Sequence, residues 1–343
     1  MQHTASVTPD ETFMHEAIRL ARRGRGNTHP NPAVGCVIVR ADRIIARGWH
    51  RRAGLPHAEI EALRKLPAND ARGATAYVTL EPCCTHGRTP PCTDALIHAG
   101  IARVVIGAID PNPAHRGRGL RLLRKARIAV TSGVLAGDCE ALNPEFHHAM
   151  STGLPWVIAK CGMSLDGRLT RPPGEGQWLT SPAARRDAMK LRASVDAVMV
   201  GAGTVRADDP ALTVRGIRNA RQPLRVIWAP RRHPPASARL LRQPDGVMVL
   251  RHKTLRGALR ALTKHGIHRV LLEGGGHTLG CAFDAGLVQE AVFYIAPLLA
   301  GGSIPAVGGR GAVKGRGSLT GVEYRLTGNC IRATGIFTPF RKR

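Results

Sequence analysis

Residues 81–92 read "EPCCTHGRTPPC", and residues 56–65, "PHAEIEALRK", set a histidine and a glutamate two positions apart upstream of them. His57, Glu59, Cys83 and Cys92 decide the reading of the first half of the chain. A catalytic zinc commonly takes three protein ligands and keeps a fourth position for water, whereas a structural zinc closes with four. One histidine and two cysteines give the open count. A carboxylate two residues from the histidine can then move protons on a metal-bound water without being a ligand. "HAE" opens a helix, "EPC" ends a strand, and Cys92 starts the next helix with Pro90 and Pro91 stiffening the approach. The two cysteines would thus reach a metal from adjacent chain ends. The alternative is a closed site of three cysteines and one histidine, with Cys84 as fourth ligand; adjacent cysteines rarely point the same way, which disfavours it. A lone "HAE" is an ordinary helix start, so the weight lies in its union with "EPC" and "PPC".

Working outward, 343 residues exceed the usual ceiling for one hydrophobic core, which predicts two domains, 1–150 and 151–343. No run approaches the roughly 18 to 20 apolar residues of a membrane span, and "MQHTASVTPDETF" lacks the basic-then-apolar order of a signal peptide. A cytoplasmic chain with no membrane partner is expected. Eight cysteines without a regular framework fit reduced thiols, leaving metal binding as their special use. The net charge of +26 admits nucleic acid, an anionic surface or an anionic small substrate. Residues 1–150 hold 20 Lys and Arg against 13 Asp and Glu, and residues 151–343 hold 30 against 11, so the excess lies in the second half. The arginines are scattered and aromatics are only 4% of the chain, which supplies few stacking platforms for single strands. No nucleic-acid partner is expected; a phosphorylated ligand fits the charge.

Helix and strand signals alternate through both halves. In "ETFMHEAIRLARRG", Phe13, Met14, Ala17, Ile18 and Ala21 share one helical face, and "VGCVIVRADRIIARGWH" reads as two strands around an Ala41-Asp42 turn. Helices follow on "HAEIEALRKL", "TDALIHAG" and "GLRLLRKA", strands on "ATAYVTL", "ARVVIGAI" and "IAVTSGV", and one last helix on "CEALNPEFHHAM". This is an α/β layer, closed by a linker at "STGLPW" (151–156). The second half opens on "WVIAKCGMSLDGRLT", and Ser181 caps a helix with Pro182 at its first position. Strands follow on "DAVMVGA", "LRVIWA", "GVMVLRH", "RVLLEGG" and "EAVFYIAP", with a helix on "HTLGCAFDAGL" and a hairpin turning at Gly328-Asn329. "GAGTVRADDP" reads as a strand and a glycine-rich turn, and "GGSIPAVGGRGAVKGRGS" (301–318) as a mobile loop.

The first 150 residues resemble the cytidine-deaminase superfamily, whose pattern is H-x-E followed by P-C-x-x-C. Here eight residues, not two, separate Cys83 from Cys92, which departs from the nucleic-acid-acting members. "TLEPCCTHGRTPPC", "THPNPAVGCVIV" and "GAIDPNP" resemble instead the deaminase domain of the bifunctional riboflavin-biosynthesis deaminase/reductase family. The resemblance implies zinc on His57, Cys83 and Cys92, with Glu59 shuttling protons from the water to the leaving ammonia. It also implies that Asn31, His50 and Arg88 hold the pyrimidine and its phosphoribosyl arm. As residues alone, these three are equally a turn residue, a strand-end histidine and a loop cation.

"KCGMSLDGRLT", "GQWLTSPAARRDAMKLRASVDAVMVGAGTVRADDPALTVR" and "LLEGGGHTLGCAFDAGLVQEAVFYIAP" resemble, nearly end to end, the reductase domain of the same family, with a dihydrofolate-reductase-like fold. Glycines opening a helix bind phosphate through backbone N–H groups, and no G-x-G-x-x-G fingerprint points to a Rossmann domain. The resemblance places Gly162, Trp178, Thr204, Asp208 and the turn Gly274, Gly275, Gly276 at NADPH. It places Arg192, Leu212, Arg215 and Glu273 at the substrate, the arginines on its phosphate, with Lys160 and Asp166 near the ribose. Two departures stand out: Gly176 where the family often has serine, and Ala229-Pro230 where an Asp-Ser pair is common. Arg231 and Arg232, directly after Pro230, are candidates for the NADPH 2′-phosphate.

The expectation is therefore a zinc- and NADPH-dependent bifunctional enzyme, dimeric or tetrameric by family analogy. Its first half would deaminate 2,5-diamino-6-(5-phosphoribosylamino)pyrimidin-4(3H)-one by attack of zinc-activated water. Its second half would reduce the ribosyl group of the product to ribityl. The rivals are a deaminase of nucleic-acid bases, a zinc-stabilised binding protein without catalysis, and a deaminase with an inactive second domain.

Overall fold

The computed structural model describes residues 7–86, 90–169, 178–242, 245–310 and 318–337, which form two compact units, Met1–Thr152 and Gly153–Arg343. Arg88, Gly176 and residues 311–317 of the long glycine-rich loop lie outside the described residues.

The first unit runs α1 (Pro9–Arg22), β1 (Gly35–Arg40), β2 (Arg43–Trp49), α2 (Ala58–Leu63), β3 (Thr75–Leu80), α3 (Cys92–His98), β4 (Arg103–Ala108), α4 (Arg118–Lys125), β5 (Ala129–Ser132), α5 (Ala136–Glu140) and α6 (Pro144–Thr152). Its sheet has the order β2-β1-β3-β4-β5; β1 is antiparallel to β2 and β3, while β3, β4 and β5 are parallel. Both faces are covered. Met14, Ala17 and Leu20 of α1 pack with Cys139 and Leu142 on one face, and Ala58, Ala62, Leu96 and Leu123 of α2, α3 and α4 on the other. Helix α1 begins where Thr8 and Glu11 cap each other in a reciprocal box, with Pro9 at the first position. It lies so close to the sheet that a Cβ on Gly35 would run into the Ala17 carbonyl. The β1–β2 hairpin turns at Ala41 and Asp42, both left-handed at φ 47° and 55°, as a two-residue turn of this hand requires.

The second unit runs β6 (Trp156–Ser164), α7 (Pro182–Ala193), β7 (Ala197–Gly201), α8 (Ala202–Asp208), β8 (Leu224–Trp228), α9 (Arg239–Arg242), β9 (Val247–Leu250), α10 (Leu255–Lys264), β10 (Arg269–Leu272), α11 (Gly276–Asp284), β11 (Glu290–Ala296), β12 (Leu319–Thr327) and β13 (Cys330–Phe337). The eight strands lie in the order β12-β13-β11-β6-β10-β7-β8-β9. Strands β11 to β9 are mutually parallel, and the β12–β13 hairpin adds antiparallel strands at one edge. Separate clusters around Leu259, Leu272 and Leu279 and around Val198, Ile227 and Leu240 cover the two faces. Such doubly covered parallel sheets present their binding crevice beyond the carboxyl ends of the strands.

Four elements differ from the sequence expectations, one of them the short helix α9, where no helix was expected. The single helix expected over "CEALNPEFHHAM" is two, because Pro144 disfavours a helical Asn143; the Asn143 side chain is buried and pairs with the Ala33 N–H (2.7 Å) and carbonyl (2.9 Å). The expected glycine-rich turn after β7 is helix α8, which starts at Ala202 with no intervening loop. Helix α10, capped by the Thr254 hydroxyl on Gly257 N–H, was not anticipated, although Leu255, Leu259 and Leu262 have helical spacing.

Candidate active sites

In the first unit, chain geometry draws the three expected ligands together. His57 is the extended N-cap residue of α2, Cys83 follows β3, and Cys92 is the first residue of α3 after Pro91. The Thr93 N–H donates to the Cys83 carbonyl at 3.2 Å and the Cys92 N–H approaches Cys83 Sγ at 3.4 Å, which fixes the two cysteines against each other. His57 Nδ1 lies 3.5 Å from Cys83 Sγ and 3.3 Å from Cys92 Sγ, and the three donor atoms all fall within 4.8 Å of one another. A tetrahedral zinc with ordinary Zn–S and Zn–N lengths separates S from N by about 3.6 Å. The donor set therefore fits zinc in chemistry and in spacing. Cys84 faces elsewhere, toward His115 Nδ1 at 3.7 Å, and is not among the three clustered donors.

The donors bias one another's charge: the hydrogen bond between the two thiols raises Cys92 and lowers Cys83. Hydrogen bonding from Cys92, together with His57, holds the Cys83 thiol down at about 4, and the bond with Cys83 raises His57. Glu59, the second residue of α2 and 3% exposed, is pushed up to about 6 by burial and by the Cys83 charge. A carboxyl poised there exchanges protons close to neutral pH.

His50 is buried beside this cluster, its ring 5.3 Å from that of His57, its Nδ1 3.0 Å from the Pro56 carbonyl and its Nε2 3.4 Å from Asn31 Nδ2. The structure thus brings His50 beside His57, with Asn31 in contact with His50. Glu81, which the sequence reading passed over, is buried and accepts N–H bonds from Asp110 (3.3 Å), Gly117 (2.9 Å) and Gly119 (2.9 Å). It ties the loop before α4 to the strand end that carries Cys83. A buried carboxylate directly before "PC" was the available signal.

In the second unit, a cavity of about 1390 Å³ opens beyond the carboxyl ends of β6, β7, β8 and β10. Gly162, Trp178, Thr204, Asp208, Gly274, Gly275, Gly276, Lys160, Arg192, Leu212, Arg215 and Glu273 all line it. At the β6 end, Glu273 is enclosed by two cations: Arg192 Nε and Nη2 donate at 2.6 and 3.0 Å, and Lys160 Nζ lies at 3.3 Å. Burial alone would raise Glu273, but Lys160 and Arg192 outweigh it and hold the carboxyl at about 2. Arg192 also donates through Nη1 to the Thr213 carbonyl, whereas Arg215 is exposed and makes no polar contact among the described residues. At the glycine turn, Thr204 Oγ1 accepts from Gly275 N–H at 3.0 Å, fastening α8 to the start of α11. The first amides of α11 point outward from a helix N-terminus, a fitting environment for a dinucleotide phosphate.

Asp166 is the exception among the expected residues. Its carboxylate accepts from the Ser164 hydroxyl (2.5 Å) and from the Ala300 and Gly301 N–H groups (2.9 and 2.8 Å), and it does not line the cavity. It anchors the loop after β11. Arg206, His277 and Thr278, absent from the sequence reading, do line the cavity.

Comparison with known proteins places each unit in a known family. The family model for the cytidine and deoxycytidylate deaminase zinc-binding region matches residues 7–108, and that for the RibD C-terminal domain matches residues 155–335. The chain is 44% identical over 326 residues to the riboflavin biosynthesis protein RibD of Escherichia coli K12, covering 85% of this chain and 89% of that one. It is 40% identical over 321 residues to the protein of that name in Bacillus amyloliquefaciens, covering 86% of each. Among solved structures, Acinetobacter baumannii RibD matches at a TM-score of 0.86 with 39% identity over 97% of this chain and 100% of that one. A diaminohydroxyphosphoribosylaminopyrimidine deaminase/5-amino-6-(5-phosphoribosylamino)uracil reductase from Thermotoga maritima matches at 0.80 with 33% identity, covering 96% and 99%. No helix among the described residues is long and apolar enough to cross a membrane. With a cytidine-deaminase-like fold before a RibD-type reductase fold, the chain belongs to the RibD family: it is a bifunctional riboflavin-pathway enzyme, a zinc-dependent deaminase joined to an NADPH-dependent reductase.

Proposed function

We propose that residues 1–150 convert 2,5-diamino-6-(5-phosphoribosylamino)pyrimidin-4(3H)-one to 5-amino-6-(5-phosphoribosylamino)uracil, and that residues 151–343 reduce the ribosyl group of that product to ribityl. The observation that carries the reading is the cluster of His57, Cys83 and Cys92 with Glu59 buried beside it. His57, Cys83 and Cys92 would hold the zinc, which when bound lowers the pKa of a coordinated water and so supplies a nucleophile at neutral pH. Glu59 takes the proton of the attacking water and returns it to the departing amine at the pyrimidine C2. Asn31 and His50 orient the ring, and Arg88 meets the phosphoribosyl arm.

In the second unit, Gly162, Trp178, Thr204, Asp208 and the Gly274–Gly276 turn would hold NADPH, whose nicotinamide supplies the hydride for ribose C1′. Lys160 and Glu273 face the ribose, and Leu212 packs against the substrate. Arg215, with all five guanidinium donors free among the described residues, takes the substrate phosphate; Arg192 commits three of its own to Glu273 and Thr213 and lends two. The two reactions belong in the cytoplasm, where the pathway's phosphorylated intermediates are retained by their charge.

We further propose a homo-oligomer, dimer or tetramer. The edge hairpin supports it: Tyr324 and Leu326 of β12 are 72% and 77% exposed and pair across to Ala333 and Ile331 on one face of the sheet.

The ligand set is tested by elemental analysis of purified protein. One zinc per chain is expected, kept in Cys84→Ser and lost in Cys92→Ser and His57→Ala. Loss of zinc from Cys84→Ser would replace the open site with a closed one and remove the hydrolytic reading.

A further inference from the structure

Two tryptophans line the cavity of the second unit, and they differ in how they are held. Trp228, at the end of β8, is 6% exposed and spends its Nε1–H on the His252 carbonyl at 2.9 Å. Trp178 is 55% exposed. A side chain so open changes rotamer freely unless something behind it prevents that.

Arg185 stands behind it. Its guanidinium carbon lies 5.0 Å from the centre of the Trp178 ring, and its Nη1 donates to the Thr180 carbonyl at 2.6 Å. That carbonyl precedes the Ser181 cap of α7 and stands outside the helix ladder, in which the Arg185 N–H bonds the Ser181 carbonyl at 3.0 Å. One planar cation therefore grips the ring and the backbone beside it, which fixes the indole relative to its own main chain. The main chain is fixed in turn. The Ser181 N–H donates to Cys330 Sγ at 3.3 Å and its hydroxyl to the Thr327 carbonyl at 3.1 Å, both in the edge hairpin. On the other side a Cβ on Gly162 would stand 3.1 Å from the Thr180 methyl, so the segment lies directly against β6.

Arg185 is half-buried and does not line the cavity. With the buried Ala188 and with Arg192 it recurs at i, i+3 and i+7, on one face of α7. Arg192 reaches Glu273 and Arg185 reaches Trp178, so one helix face sets two side chains of the cavity wall.

We propose that Arg185 is a positioning residue of the reductase unit: it holds the Trp178 indole in the cavity wall and so sets the affinity for NADPH without touching it. The proposal rests on the reading that Trp178 lies at the cofactor. A flat ring already held in one orientation receives a cofactor ring without being ordered at that moment, whereas a ring that swings must be ordered first, and the cost appears in the dissociation constant.

The test is a double-mutant cycle on the full zinc-loaded chain, with NADPH affinity read by titration calorimetry and NADPH KM and kcat read in the reduction of aminouracil ribosylphosphate. Arg185→Met, similar in length and uncharged, is expected to weaken NADPH by about three- to tenfold, in KM and not in kcat. Arg185→Lys keeps a cation for the ring and should lose less. Trp178→Leu is expected to weaken NADPH at least as much as Arg185→Met, and Arg185→Met added to Trp178→Leu should cost less than about twofold more. Tryptophan emission gives an independent reading: Arg185→Met should change it, and should no longer do so once Trp178 is replaced by leucine. Equal losses from Arg185→Met with and without Trp178, or no loss in either, would overturn the proposal; if the methionine variant does not fold, Arg185→Lys runs the same cycle. Trp178→Leu that binds NADPH as wild type does would remove Trp178 from the cofactor and the proposal with it. Wild type that binds no NADPH would remove the reductase reading itself, a different failure from a wrong role for Arg185.

Discussion

Two buried carboxylates in this chain have opposite fates, and their surroundings say why. Glu59 is held up to about 6 by burial and by the charge of Cys83, which outweigh the lowering effects of His57, a backbone hydrogen bond and Cys92, so that it can both take and release a proton. Glu273 is as deeply enclosed, but two cations surround it and its carboxyl stays at about 2. The first is built to change charge and the second to keep it. A folded value for Glu273 below the ordinary carboxyl value of about 4.3 means that its stabilising contribution is complete above that pH and is lost as pH falls toward 2. Glu273→Gln leaves Lys160 and Arg192 facing a neutral amide in a buried place, which should cost the reductase unit about 3–5 kcal/mol. Thermal melting of the variant should show that loss at pH 7 and a smaller difference from wild type near pH 3; a gap that widens with acidity would mean that Glu273 is not the ion the network is built around.

At the scale of elements, both sites are made at helix starts, and this is where sequence patterns carry the most information. "HAE" and "PPC" announced α2 and α3, and the cap residues Thr8, Ser181 and Thr254 stand where helices begin. What escaped was decided by packing. Helix α8 follows β7 without a loop and begins among glycines, so its local sequence carried the signature of a turn while its buried Ala202 and Val205 joined the core. Asp166 carried a ligand-like motif context, yet two backbone amides from residues 134 and 135 positions away claimed its carboxylate. Contacts of that range leave no local trace. Arg231 and Arg232 were legible together from their place after Pro230, whereas Arg206 and Arg239 were not, since the contacts that bring them there, Arg206 to the His233 carbonyl and the Arg239 N–H to Asp209, are tertiary. Helix α11 supplies the sharpest test of element geometry: a Cβ on Gly276 would strike the Pro305 carbonyl, so Gly276→Ala must displace either the helix start or the loop above it. Calorimetry should show NADPH affinity lowered at least about tenfold with zinc content and deamination unchanged; unaltered NADPH binding would move the cofactor's phosphates away from this turn.

Across the whole molecule, the two units divide the chemistry by charge as well as by fold. The second half, with 30 basic against 11 acidic residues, holds the cavity to which we assign the dinucleotide and the phosphorylated substrate. The exposed apolar face of the β12–β13 hairpin belongs to this scale too. Sedimentation velocity should find an oligomer that Tyr324→Asp/Leu326→Asp converts to monomer, and an oligomer that survives both changes would place the contact elsewhere. The central claim is that one chain performs hydrolysis in its first unit and hydride transfer in its second, and mass spectrometry reads both. Zinc-loaded wild type given the diaminopyrimidinone ribosylphosphate should exchange one amine for oxygen without NADPH and gain two hydrogens only when NADPH is added. Glu59→Gln should slow the first change by about 10²- to 10⁴-fold while still reducing supplied aminouracil ribosylphosphate. Hydrogen gain without prior amine loss, or amine loss undiminished in Glu59→Gln, would contradict the account.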